Sequence, residues 1–145
     1  MKHHLILRVV TKMLIPSILL FALYVQFHGD FGPGGGFQAG VIFAAAFILY
    51  AIVFGLETAR RVMPTWLLQS LIATGLILYA GVGFVGMFLG GNYLNYTVLT
   101  GHAHSGQHIG LLLIELGVGI TVSTVMIAIY FSFASRTPRM GDEDW

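Results

Sequence analysis

The sequence predicts an all-α integral membrane protein with four transmembrane helices and both termini in the cytoplasm. Composition is the first reason: of 145 residues, 57% are hydrophobic and only 9% charged, with a mean hydropathy of +0.84, whereas a soluble domain carries about 25% charged residues. The second is length. Four apolar runs, roughly 5–27, 37–56, 66–89 and 108–133, reach the ~20 residues that a helix needs to cross a bilayer. The third is charge placement. Lys2, Arg8, Lys12, Arg60, Arg61, Arg136 and Arg139 are all the basic residues, and each lies before or within the first run, between the second and third, or after the fourth. Loops that carry Lys and Arg stay in the cytoplasm. The connections 28–36 and 90–107 contain neither and belong to the opposite face.

The four runs leave little mass for a soluble part, so residues 1–145 read as a single membrane domain with a cytoplasmic tail at 134–145. A cleavable signal peptide is not expected, because the first run is long, is interrupted by Lys12 and Pro16, and leads to no small-residue cleavage site. The absence of cysteine excludes disulfides, thiolate metal sites and iron–sulfur ligation. A net charge of +1 carries no nucleic-acid signal, since the basic residues serve topology.

Each run has a feature to account for. In the first, Lys12 sits about two turns inside and either snorkels to the interface along its aliphatic stem or acts as a buried functional lysine. Pro16 should kink this helix, with neighbouring helices answering the carbonyl it frees. The second opens with Gly36-x-x-x-Gly40-x-x-x-Ala44 and the third closes with Gly86-x-x-x-Gly90. Such spacing lets membrane helices approach closely. Glycine this abundant suits either a subunit of a larger assembly or ordinary membrane-helix enrichment. Glu57, just after the second run, can pair with Arg60 or Arg61 at i+3 or i+4.

The fourth run holds Glu115 among apolar residues for a turn on either side. A charge at the bilayer centre costs about 2.5–3.5 kcal/mol on insertion scales and marks a cavity, a partner or an ion path. The plainer reading is a protonated acid hydrogen-bonded to a neighbouring helix. His108 lies seven residues earlier, two turns back on nearly the same face and ~10 Å along the axis. His104 joins that face if the helix begins early. Histidine can pass protons between bulk water and an interior acid, or can simply solvate a helix end. No fixed metal site is expected; a transient Na+ near Glu115 is the nearest candidate.

Between the first two runs, residues 27–40 put six glycines, Pro33, His28 and Asp30 into one short connection. Proline cannot continue a helix interior, and glycine permits φ > 0 or close backbone approach. The segment therefore reads as a shaped turn. It is no phosphate loop, because no Gly-Lys-Ser/Thr follows, and it lacks dinucleotide-fingerprint spacing. Bis-histidine haem finds no histidine well inside an apolar span. Zinc at His102, His104 and His108 lacks a clear fourth ligand. No cofactor is expected.

The run from Gly29 to Gly40, with Pro33, Gly34, Gly35, Gly36 and Phe37 at its core, resembles the glycine-rich signature of the MnhB family, the B subunit of Mrp-type multisubunit Na+/H+ antiporters. The segments 55–61 and 108–118 are similar to that family's acidic-then-basic end of span two and its histidine-to-acid fourth helix. Relatives carry Gly-His ahead of the proline where this chain has Gly29-Asp30. The resemblance implies a multi-pass subunit of the bacterial cytoplasmic membrane that works only with the other antiporter subunits, exchanges Na+ for H+, and supports sodium and pH homeostasis. It implies no enzyme activity. Within it, Glu115, His108, His104, His28, Asp30 and Lys12 are candidates for the ion or proton path. Pro33, Gly34, Gly35, Gly36, Phe37 and Gly40 would shape the helix entry. A purely structural assembly subunit is the alternative.

Overall fold

A computed structural model of the chain describes residues 3–29, 32–99 and 103–136, without the side chains of His3, His4, Val98, Ala103 and His104. Four long helices dominate: α1 (His3–Phe27), α2 (Gly36–Phe54), α4 (Thr65–Phe88) and α5 (Ala103–Ala134). A short α3 (Leu56–Val62) follows α2, and a 3-10 turn (Tyr96–Leu99) precedes α5. All four long helices are long and apolar enough to cross a membrane. A helix satisfies its own backbone groups where no water can, which makes it the form available to these runs.

The helices pack in the spatial order α1, α2, α5, α4, with α1 touching α5 only lightly. Glycine sets that order. Gly117 and Gly119 point to different sides of α5: Gly117 meets the backbone of Gly75 and Tyr79 on α4, and Gly119 meets Gly36 on α2 and Gln26 on α1. Gly40 approaches Gly119 so closely that a Cβ would lie 2.8 Å from its carbonyl oxygen, and a Cβ on Gly75 would collide with Thr121. Many of the small residues read from the sequence as hints of a larger assembly are thus consumed inside this chain. Two are not: Gly81 and Gly90 have nothing within 4 Å of an added Cβ.

A core of Ala44, Ala51, Ala59, Leu68, Ile127 and Phe131 fills the end of the bundle where α3 turns. Gly55 breaks the second run there with φ +92°, a left-handed value that side chains rarely adopt. The break tucks Ala59 fully under the bundle and turns Arg60 inward. The Arg60 guanidinium lies over the Phe131 ring at 5.9 Å, and its Nη2 reaches the Phe131 carbonyl oxygen at 3.5 Å. That carbonyl, in the last turn of α5, also accepts from the Ser135 N–H at 3.1 Å, and the helix dipole there favours a cation. α1 runs unbroken through Pro16. Only 11% of its most apolar window is buried, against 28% for α2 and α5.

At the other end, α5 is the longest element. Its 32 residues span ~48 Å, whereas the 19 residues of α2 span ~28 Å. The excess is covered by the α4–α5 connection. Tyr93 seats its ring on Gly83 and meets Phe84 edge-on at 5.9 Å, while Tyr96 seats on Gly110. Asn95 Oδ1 accepts from the Thr97 backbone N–H at 3.2 Å and from its hydroxyl at 2.6 Å, tying the 3-10 turn. Burial first, then the neighbouring Tyr79 and Tyr93, raise the Tyr96 phenol above its ordinary 10.0.

Two predictions follow from this packing. Gly40→Val forces a side chain into the Gly119 backbone and should cost about 1–3 kcal/mol. Gly81→Ala enters open space and should be neutral or stabilising by up to ~1 kcal/mol; thermal midpoints of the solubilised protein compare the two. The Tyr96 contribution to stability is complete below pH 10.0 and is lost as pH rises through the raised folded value, because the unfolded chain releases its proton first. Melting temperature measured against pH should therefore bend downward above pH 10, and Tyr96→Phe should remove that part of the bend.

Candidate functional site

The glycine-rich turn and Glu115, 80 residues apart in sequence, meet in space. α1 ends at Phe27 and the chain returns at once. The Gly35 N–H donates to the Val25 carbonyl at 3.2 Å, answering an acceptor in the last turn of α1. Gly32 N–H donates to the His28 carbonyl at 3.2 Å. Gly34 fits only as glycine, since a Cβ would lie 2.7 Å from the Val25 oxygen and 3.0 Å from the Gly29 nitrogen. Gly35 has φ +127° and ψ 171°, a region that is essentially glycine's alone.

This compact turn makes a cradle for the Glu115 carboxylate. A Cβ on Gly29 would stand 3.0 and 3.1 Å from its two oxygens, and a Cβ on Gly35 would stand 3.4 Å from Oε1. Gly36, the first residue of α2, packs so tightly that its Cβ would overlap the Glu115 carbonyl oxygen. The α2 N-terminus has no side-chain cap, and a helix N-terminus suits an acidic side chain because its first N–H groups and its dipole point outward. The side chains missing at Gly29, Gly35 and Gly36 are what let the acid in.

Glu115 lies thirteen residues into α5, level with the start of α2 at Gly36. The apolar residues on both sides of it in sequence reflect the extra length of α5, whose first turns are covered by the Tyr93–Tyr96 connection rather than by α2. The sequence reading gave the turn an architectural part and put the chemistry at Glu115; in the structure the two lie against each other.

The other candidates divide. His28 stacks on Tyr24 with ring centroids 4.9 Å apart and lies across the turn, its Nε2 3.4 Å from where a Gly32 Cβ would be. It borders the cradle. α5 begins at Ala103, so His104 and His108 are one turn apart on it. His108 is exposed, two turns from Glu115. Lys12 is not part of this site: its Nζ lies 5.8 Å over the Phe54 ring, at the opposite end of α2. Pro33 and Phe37 are exposed, Phe37 at 64%, so they face away from the chain's own core. Gly40 packs one turn below the cradle. Asp30 and the His104 side chain lie outside what the structure describes, as does the tail beyond Arg136.

The sequence reading missed three residues near the site. Gln26 is 6% exposed, and Ser123 and Thr124 are 7% and 3% exposed. All three line a cleft of about 280 Å³ beside Gly119 and Leu116. The signal for Gln26 was present, a lone amide in the final turn of an apolar run. Gly29 was quoted in the motif, but nothing in sequence shows that it faces an acid.

Comparison with known proteins bears on the fold and the family. Residues 6–128 match the family model described as a domain related to the MnhB subunit of Na+/H+ antiporter. The chain is 32% identical over 139 residues to the putative antiporter subunit mnhB2 of Staphylococcus epidermidis, covering 92% of this chain and 96% of that protein. The same subunit of Staphylococcus haemolyticus is also 32% identical over the same shares. Among solved structures, a chain in the structure of the Mrp complex from Dietzia sp. DQ12-45-1b superposes with a TM-score of 0.69 at 25% identity. The match covers 96% of this chain and only 15% of that much longer one. With its helices, its glycine turn and nearly its whole length matched, the chain belongs to the MnhB family.

Proposed function

We propose that this chain is a small membrane subunit of a multisubunit antiporter exchanging Na+, or another monovalent cation, for H+, and that Glu115 in its glycine cradle serves the ion or proton path. Family membership and relatives named as antiporter subunits support the first part. One observation carries the second: the Glu115 carboxylate lies within 3.0–3.4 Å of where side chains on Gly29 and Gly35 would be. Glycine at both positions keeps the turn's own side chains from covering the carboxylate, which leaves it open on that side to water, a proton donor or a passing cation.

In this reading His108 stands at the outer approach to Glu115, and His28 borders the cradle from α1. Lys12, roughly 20 Å away along α1, takes no part in the path. The placement of Lys and Arg supports both termini in the cytoplasm, with the cradle toward the outer face of a bacterial cytoplasmic membrane. Among the described residues the buried polar side chains are too few for a complete two-ion path, so the rest belongs to partner subunits in a hetero-oligomeric complex.

A scaffold-only reading has its own support, the nearly unburied outer face of α1. Substitutions in the complete complex separate the two. Glu115→Gln keeps the shape and should lower Na+/H+ exchange in vesicles about tenfold or more at unchanged abundance, a barrier increase of ~1.4 kcal/mol. Gly29→Ala should give a smaller loss, because its Cβ crowds both carboxylate oxygens. Normal exchange with normal abundance in Glu115→Gln would remove Glu115 from the path, and a fall in abundance matching the fall in exchange would favour scaffolding.

A further inference from the structure

Below the cradle, the same face of α5 carries a second polar feature that no family description assigns. Gln26 Nε2 is buried without a hydrogen-bond partner, and Gln26 as a whole is 6% exposed. An amide left unpaired in an apolar setting is costly, and buried polar groups in native proteins are as a rule paired with protein or with ordered water. The cleft that Gln26 lines, about 280 Å³, far exceeds the ~10–15 Å³ that one water requires by such a measure.

Water needs about two to four polar partners to be held, and the cleft offers them. Thr124 Oγ1 donates to the Ile120 carbonyl at 2.6 Å and Ser123 Oγ donates to the same oxygen at 3.0 Å. Each hydroxyl thus spends its proton inside α5 and keeps its oxygen as an acceptor. Gln26 supplies the opposite polarity, two N–H donors. Most of the remaining wall is apolar, from residues such as Ala22, Leu23, Phe43 and Ile127.

The arrangement also has a direction. Gln26 Oε1 lies 2.7 Å from where a Gly119 Cβ would be, so the amide fills the gap that Gly119 leaves. Gly119 is one turn, ~6 Å, from Glu115, and Ser123 is one turn further along the same face. Leu116, next to Glu115, lines the cleft as well. The order along α5 is carboxylate, amide, hydroxyls.

We infer that this cleft holds bound water, oriented by Gln26, Ser123 and Thr124, which extends the hydrogen-bonded path of Glu115 inward along α5. The inference rests on the reading of Glu115 as a path carboxylate. A proton moves through such water by conserved exchange: the water oxygen accepts one proton and releases another, and no further reactant is needed. The glycine at 119 is what permits the amide to sit between acid and hydroxyls.

The test uses the complete antiporter complex. Gln26→Met keeps the volume and removes the donors, and Thr124→Val keeps the shape and removes the acceptor. Each should lower exchange about fivefold, the effect of one lost hydrogen bond, at unchanged abundance. The double variant should lose little more than either single one, because both act on the same water. A high-resolution map of the complex should show water density within hydrogen-bonding distance of Gln26. Exchange unchanged in both variants while Glu115→Gln abolishes it overturns the water path and leaves the Glu115 reading intact. Exchange unchanged in all three removes both. A partner subunit's side chain in the cleft also overturns the inference. Should Gln26→Met reduce abundance, Thr124→Val alone decides the matter.

Discussion

The close approach of α2 to α5 at Gly36 and Glu115 is the constraint on which the rest depends. The backbone of α2 begins against the backbone of α5, with no space for even one methyl group. In lipid there is little hydrophobic force between helices, so contact this tight comes from van der Waals packing of small residues. It fixes the depth of the α2 N-terminus on α5, and through the Gly35 to Val25 hydrogen bond it fixes where α1 ends. The same approach sets the Glu115 carboxylate beside Gly29 and Gly35. One geometric requirement thus accounts for the turn, the helix start and the acid's surroundings together.

α5 is the organising element because it serves two neighbours at once. Gly117 accepts α4 and Gly119 accepts α2 and the Gln26 side chain. Residues two apart on a helix lie on nearly opposite sides, so two glycines suffice for both contacts. The far end is held differently. There Arg60 turns toward the last turn of α5 and over Phe131, in a core built from alanine and larger apolar side chains. The two ends match two tasks: a glycine-lined, polar end around Glu115 and a filled, apolar end under α3.

The large exposed apolar surface has a simple meaning in this setting. α1 shows Leu20, Phe21, Leu23 and Tyr24 outward, and α4 shows Leu76, Ile77 and Phe84. In water such a surface would aggregate, but lipid chains or partner helices satisfy it without cost. A chain that buries so little of α1 is suited to life within a complex, as its kinship with antiporter subunits indicates. Its buried polar side chains include Gln26 at the end of α1 and Ser123 and Thr124 on α5.

The sequence by itself determined the helical class, the four spans and the glycine turn, because the bilayer admits few backbone solutions and composition reports the solvent directly. It also singled out Glu115, since an acid among leucines is conspicuous in one dimension. It could not reveal that Glu115 enters the glycine turn or that Gln26 lies beside Gly119. Those depend on which helices touch and at what depth, and small residues permit many such pairings without naming one. The level of Glu115 against α2 was equally hidden, because α5 is longer than α2. Only the tertiary structure decided its level, through the steric requirement that Gly36 start where the Glu115 backbone allows.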